Sequence, residues 1–200
     1  MGFTGIYFSG FFQRRIGKVL GVENKIDKNR RYLKLVKDLI GMNTVGKSLI
    51  LSEKEMHDGI LECNLELMSF LQMLLKLTIA LQSNPTGKKY LPLFLAGNEK
   101  YATLTTKLSN FELKLKAALQ KKQAEWTGIE PFLKAEAFQT AKNLGEDDLE
   151  KMEKELKEAK KKIDDINEVF QLLKKDCMNI KKDIGTAIQR ADMLLQVVKL

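Results

Sequence analysis

Residues that end helices are scarce in this chain. Only three prolines occur in 200 residues, Pro85, Pro92 and Pro131, so long stretches before and after them are open to continuous helix. The two cysteines, Cys63 and Cys177, have no metal-ligand spacing and follow no secretory signal, which predicts free thiols in a reduced, cytoplasmic compartment. The single histidine, His57, has no metal or triad constellation in the sequence around it, so a surface or row-edge place is expected and no cofactor or metal is called for. Long apolar runs are also missing. The most apolar one, residues 65–81, is interrupted by Glu66, Gln72 and Lys76 and is too periodic for a membrane-spanning helix. No acidic residue precedes Glu23.

What is present is charge and helical period. Thirty-four basic side chains against 26 acidic ones give a formal net charge of +8, which favours an anionic partner such as a lipid surface or a nucleic acid. Counting from Tyr32, apolar or small residues recur at alternating steps of three and four: Leu35, Leu39, Met42, Gly46, Leu49, Met56, Ile60, Cys63, Leu67, Phe70, Leu74, Leu77 and Leu81, with Glu53 as the only break. Such a row occupies one face of a helix with the mean period of coiled-coil packing. A second row, Leu61, Leu65, Met68, Leu71, Leu75 and Ile79, makes the same helix apolar on another side, and this predicts a dimer interface.

The turn residues of "QSNPTGKKYLP" end this helix, and a second row follows: Tyr101, Leu104, Leu108, Phe111, Leu115 and Ala118. It fades near Trp126, where Gly128 and Pro131 predict a bend, with Trp126 packed there. After "NLGEDD" the last row runs Leu149, Met152, Leu156, Ala159, Ile163, Ile166, Phe170, Leu173, Cys177, Ile180, Ile184, Ala187, Ala191, Leu194 and Val198 without a missed step. The pattern predicts an all-α fold, an elongated antiparallel three-helix coiled coil with helices over about 24–82, 91–142 and 146–198, in one domain.

One string competes with this reading. "GMNTVGKSL", Gly41–Leu49, spells the phosphate-loop pattern G-x-x-x-x-G-K-[ST], and "NKID" at 24–27 resembles a guanine-recognition tetrad. A phosphate loop needs a strand ending in a glycine-rich turn whose N–H groups are free to surround the anion. Here the row passes through Met42, Gly46 and Leu49 without a change of phase, so residues 41–48 are expected to be helical, with Gly41 and Gly46 weakening the helix enough to bend it. No strand ending in aspartate follows to place a magnesium ion, so a nucleotide enzyme is the least favoured expectation.

The first 22 residues differ from the rest. They combine Phe3, Ile6, Tyr7, Phe8, Phe11, Phe12, Ile16, Val19 and Leu20 with Arg14, Arg15 and Lys18. Aromatics that sink among acyl chains and cations that meet phosphates are the makeup of a segment lying in a membrane interface. A strand or arm packed on the helices and a presequence are the bland alternatives.

Taken in order, "FFQRRIGKVLGVENKID", the doubly apolar first helix, "EWTGIEPFLKAEAFQTAK" and "DDLEKMEKELKEAKKKIDDINEVF" resemble the entry segment, dimer helix, bend, tip and third helix of the BAR (Bin/amphiphysin/Rvs) domain family, in its N-BAR and sorting-nexin forms. The resemblance spans essentially the whole chain and is one of pattern and order. It implies a non-enzymatic homodimer, peripheral on anionic membrane, that senses or imposes curvature, with no nucleic acid involved. Under that resemblance Phe3, Ile6, Tyr7, Phe8, Phe11, Phe12 and Ile16 would insert. Arg14, Arg15, Lys18, Lys114, Lys121, Lys122, Lys134, Lys142, Lys151, Lys154, Lys160 and Lys161 would meet headgroups. The tip differs from a purely basic one in carrying Glu146, Asp147, Asp148 and Glu150. A helical scaffold subunit of a larger assembly is the alternative expectation.

Overall fold

The computed structural model describes the backbone of residues 5–84 and 86–199, and the side chains of residues 25–84, 86–145 and 147–198. The fold is all-α. Helix α1 spans Gly5–Ser83, α2 Leu91–Leu133, α3 Ala135–Asn143 and α4 Glu146–Lys199, with one 3-10 turn at Gly87–Tyr90 and no strand among the described residues. α1 thus starts well before the position expected near residue 24. The single helix expected over 91–142 is two, α2 and α3, separated at Lys134, whose backbone is extended (φ −82°, ψ 148°).

The break has a local cause. Pro131 lies inside α2 and supplies no N–H to the turn before it, and α2 ends two residues later. The carbonyl of Leu133, left without a helical partner, accepts a hydrogen bond from Asn43 Nδ2 at 2.8 Å. α2 therefore runs through Gly128 and Pro131 and stops just beyond them.

The chain forms two compact units: residues 1–46 with 127–163, and residues 47–126 with 164–200. One domain was the expectation from length. In the second unit, α1 and α2 are antiparallel, as the pairs Glu53–Lys122 and Phe70–Tyr101 fix, while α4 runs parallel to α1, with Glu55 on Lys174 and Glu62 on Lys181. Lys107 reaches Asp183 at 2.9 Å across α2 and α4. The exposed ion pairs among these, Glu55–Lys174, Glu62–Lys181 and Lys107–Asp183, are worth only about 0.2–1 kcal/mol each, so they mark register more than they hold it. Burial of Phe70, Leu74, Leu77, Leu104, Phe111, Ile166, Phe170 and Ile184 is what binds the segments. In the first unit, α1 contributes Leu35, Leu39 and Met42, α2 Ile129, α3 Ala137 and Ala141, and α4 Leu149, Leu156 and Ala159 to the core.

The expected rows are mostly the buried ones, with some differences. Tyr32, Ile60, Leu81, Tyr101 and Met152 are only half-buried. At the break in the α1 row the small Ser52 is buried, and Glu53 sits at its edge where Lys122 meets its carboxylate at 2.5 Å. Near the end of α4 the row takes Leu195 in place of Leu194, which is half-buried.

The turn after α1 is held by one side chain. Asn84 Oδ1 accepts from the Thr86 N–H at 2.9 Å and from Thr86 Oγ1 at 2.7 Å, while its Nδ2 donates to the Val198 carbonyl at 2.9 Å. Gly87 is placed where a Cβ would come within 3.3 Å of the Leu81 backbone. That close approach is why the turn carries glycine.

Candidate interaction surfaces

The phosphate-loop string lies inside α1. Met42, Gly46 and Leu49 are buried, Lys47 and Ser48 are exposed, and Thr44 Oγ1 donates to the Ile40 carbonyl at 3.0 Å. The loop-to-helix transition that leaves N–H groups free for an anion is absent over 41–48. The two glycines have different surroundings. Gly41 faces open space, whereas a Cβ on Gly46 would lie 3.0 Å from Leu133 Cδ1, so Gly46 is small because the end of α2 packs on it. α1 is continuous helix across both, so neither interrupts it.

The second α1 row is uncovered. Leu61, Leu65, Met68, Leu71, Leu75 and Ile79 are between 39% and 65% exposed, against 3% or less for Cys63, Leu67, Phe70, Leu74 and Leu77 on the buried face. At 100° per residue, 61, 65, 68, 75 and 79, with Gln72 among them, fall within about 40° of one line along the helix. The buried row lies on the opposite side of the same helix.

This double apolarity gives α1 an 18-residue window, within Lys25–Ser83, of mean hydropathy 1.3, of which 22% is buried. By length and composition the window could cross a membrane, contrary to the reading from its interruptions. Its two-sided period is the pattern of a helix packed on proteins.

The expected headgroup residues divide. The side chains of Phe3, Ile6, Tyr7, Phe8, Phe11, Phe12, Arg14, Arg15, Ile16 and Lys18 lie outside the described residues. Lys122 is turned inward. Its side chain is 14% exposed, paired with Glu53, and its Nζ sits 4.9 Å from the centre of the Trp126 ring. Lys114 faces Asp176 at 3.8 Å, Lys134 faces Glu130 at 3.2 Å, Lys154 faces Glu150 at 3.1 Å and Lys160 faces Asp38 at 2.8 Å. Lys154 draws the Glu150 carboxyl below its usual range, by hydrogen bond and by charge. Lys121, Lys142, Lys151 and Lys161 are exposed and unpaired among the described residues.

Two grooves of the first unit carry mixed charge. One, about 470 Å³, lies between α1 and α4, where Arg31, Lys34 and Lys157 alternate with Asp38, Glu150 and Glu153. The other, about 530 Å³, brings Lys134 and Lys151 together with Glu136, Asp148 and Glu155. Neither is a uniformly basic cradle.

Cys63 and Cys177 are buried free thiols brought together across α1 and α4. Donation of its proton to Cys177, together with burial, pushes the Cys63 thiol far up. Accepting that bond, with Lys181 nearby, draws Cys177 down to about 7. α1 makes room for the pair at Gly59, where a Cβ would be 2.7 Å from Cys177 Sγ. His57 is exposed, and no cluster of three metal-ligating groups occurs among the described residues.

No family model matches the chain. Neither a curated protein nor a solved structure matches it.

Proposed function

We propose that the chain is a non-enzymatic, peripheral membrane protein that pairs with a second copy of itself as an elongated three-helix coiled coil of BAR type. On this reading it lies on anionic lipid and senses or induces curvature. The observation that carries the reading is the uncovered apolar row of α1, Leu61 to Ile79, on the face opposite the buried row, in a chain of net charge +8. A second copy removes that row from water. The Phe-rich, basic residues 1–22 supply the membrane contact, each basic group near an anionic surface adding about 1 kcal/mol. Lys121, Lys142, Lys151 and Lys161 add to it, since no acidic side chain is paired with them.

Co-sedimentation with vesicles tests the reading. The chain should pellet with anionic vesicles, less so as salt rises, and should lose most of that binding when residues 1–22 are removed. Binding that ignores the anionic lipid and survives the deletion overturns it. A second reading, a helical scaffold subunit, is favoured by exposed Leu113, Leu172, Met178 and Met193, apolar residues beyond the α1 row. It forecasts no vesicle binding.

A further inference from the structure

A groove of about 500 Å³ opens in the second unit, among α1, α2 and α4. Phe70, Leu74 and Leu77 of α1, none more than 3% exposed, close its bottom, and its accessible apolar lining is Leu93, Phe94 and Leu194. It exists because its walls are built from small residues. α2 presents Ala96 and Gly97, and α4 presents Ala187 and Ala191, where larger side chains would fill the space. Gly97 also lets α2 approach α1, since a Cβ there would be 3.0 Å from Leu74 Cδ2. The shift of the α4 row from Leu194 to Leu195 belongs to the same place, leaving Leu194 half-buried on the groove wall beside Phe94 and Leu93.

The rim is cationic. Lys100, half-buried, and Arg190, exposed, both line the groove and have no ion-pair partner among the described residues. The one acid at the rim, Asp183, is already matched by Lys107 at 2.9 Å. That hydrogen bond and the charges of Lys107, Lys100 and Lys182 hold its carboxyl below the usual range. An apolar trough with a net excess of positive charge at its mouth is complementary to a molecule with one apolar tail and one anionic head.

We propose that this groove binds a long-chain fatty acid, its hydrocarbon along Leu93, Phe94 and Leu194 and its carboxylate between Lys100 and Arg190. The inference stands on the groove alone and does not require the membrane reading. Displacement of cis-parinaric acid fluorescence by oleate from the full-length chain tests it. Oleate should compete saturably below its micellar concentration, and oleyl alcohol, which has the tail without the charge, should compete roughly tenfold or more weakly. Arg190→Glu, an exposed change that leaves helicity intact, should weaken oleate by a similar factor, and Lys100→Glu with Arg190→Glu should weaken it further. Equal affinity for oleate and the alcohol, or an oleate affinity unchanged in Arg190→Glu and in the double variant, overturns the proposal. So does displacement by an acidic amphipathic peptide but not by oleate.

Discussion

Side-chain size decides the fate of the glycines of α1. Gly41 faces open space, so Gly41→Ala should stabilise the chain by up to about 1 kcal/mol through helix propensity, a rise of a few degrees in Tm. Gly59 is the opposite case. Gly59→Ala drives a methyl group into Cys177 Sγ, and overpacking of about 1–3 kcal/mol outweighs the propensity gain, so the same melting experiment should show a loss that Cys177→Ala partly relieves. The two thiols make a chemical prediction as well. Cys177, at about 7 instead of the usual 9.0, has its anion favoured in the folded state, so its slow alkylation should rise through a midpoint near pH 7. Removing the donor with Cys63→Ala should move that midpoint upward by a unit or more, read by mass spectrometry across a pH series. None of this was legible in the sequence, which places both cysteines on packing rows but says nothing of what faces what. The same blindness covers Lys122: the BAR resemblance makes it a headgroup candidate, and only Glu53 and Trp126, distant in sequence or a turn away, reveal that it points inward.

At the scale of the helix, period was the legible quantity. Row positions such as Leu35, Phe70, Leu104 and Phe170 are buried as spaced, because a helix has one answer to where every third or fourth side chain points. Departures occur where the partner, not the period, decides. Ser52 enters the core beside Glu53, and Leu195 replaces Leu194, which lines the open groove. The α2 break illustrates the same limit. Pro131 announces a disturbance, but the stopping point at Lys134 depends on Asn43 reaching the Leu133 carbonyl. Asn43→Ala should therefore cost about 1 kcal/mol in urea unfolding, out of proportion to a half-exposed side chain. The uncovered α1 row gives the complementary outcome. Leu65→Glu with Leu75→Glu alters exposed residues and should leave helicity within about 0.5 kcal/mol of unchanged per site. Sedimentation equilibrium should nevertheless show self-association lost.

For the whole molecule, the sequence yielded the all-α class but neither the division into two compact units nor the groove beside Gly97. A groove is made by what is missing, here side chains at Gly97, Ala187 and Ala191 on helices far apart in sequence, and single-chain periodicity has no term for a space. The parallel pairing of α1 with α4 carries a further consequence, this time in time. Glu55 meets Lys174 and Glu62 meets Lys181, so each α1 residue waits for a partner made about 120 residues later, and at roughly 5–20 residues per second the ribosome needs on the order of 6–24 s to supply it. The α1–α2 hairpin can close earlier, through the Asn84 turn. During that interval the inner row of α1 has only α2 to cover it and the outer row nothing, which makes the half-finished chain, more than the finished one, the species most exposed to aggregation.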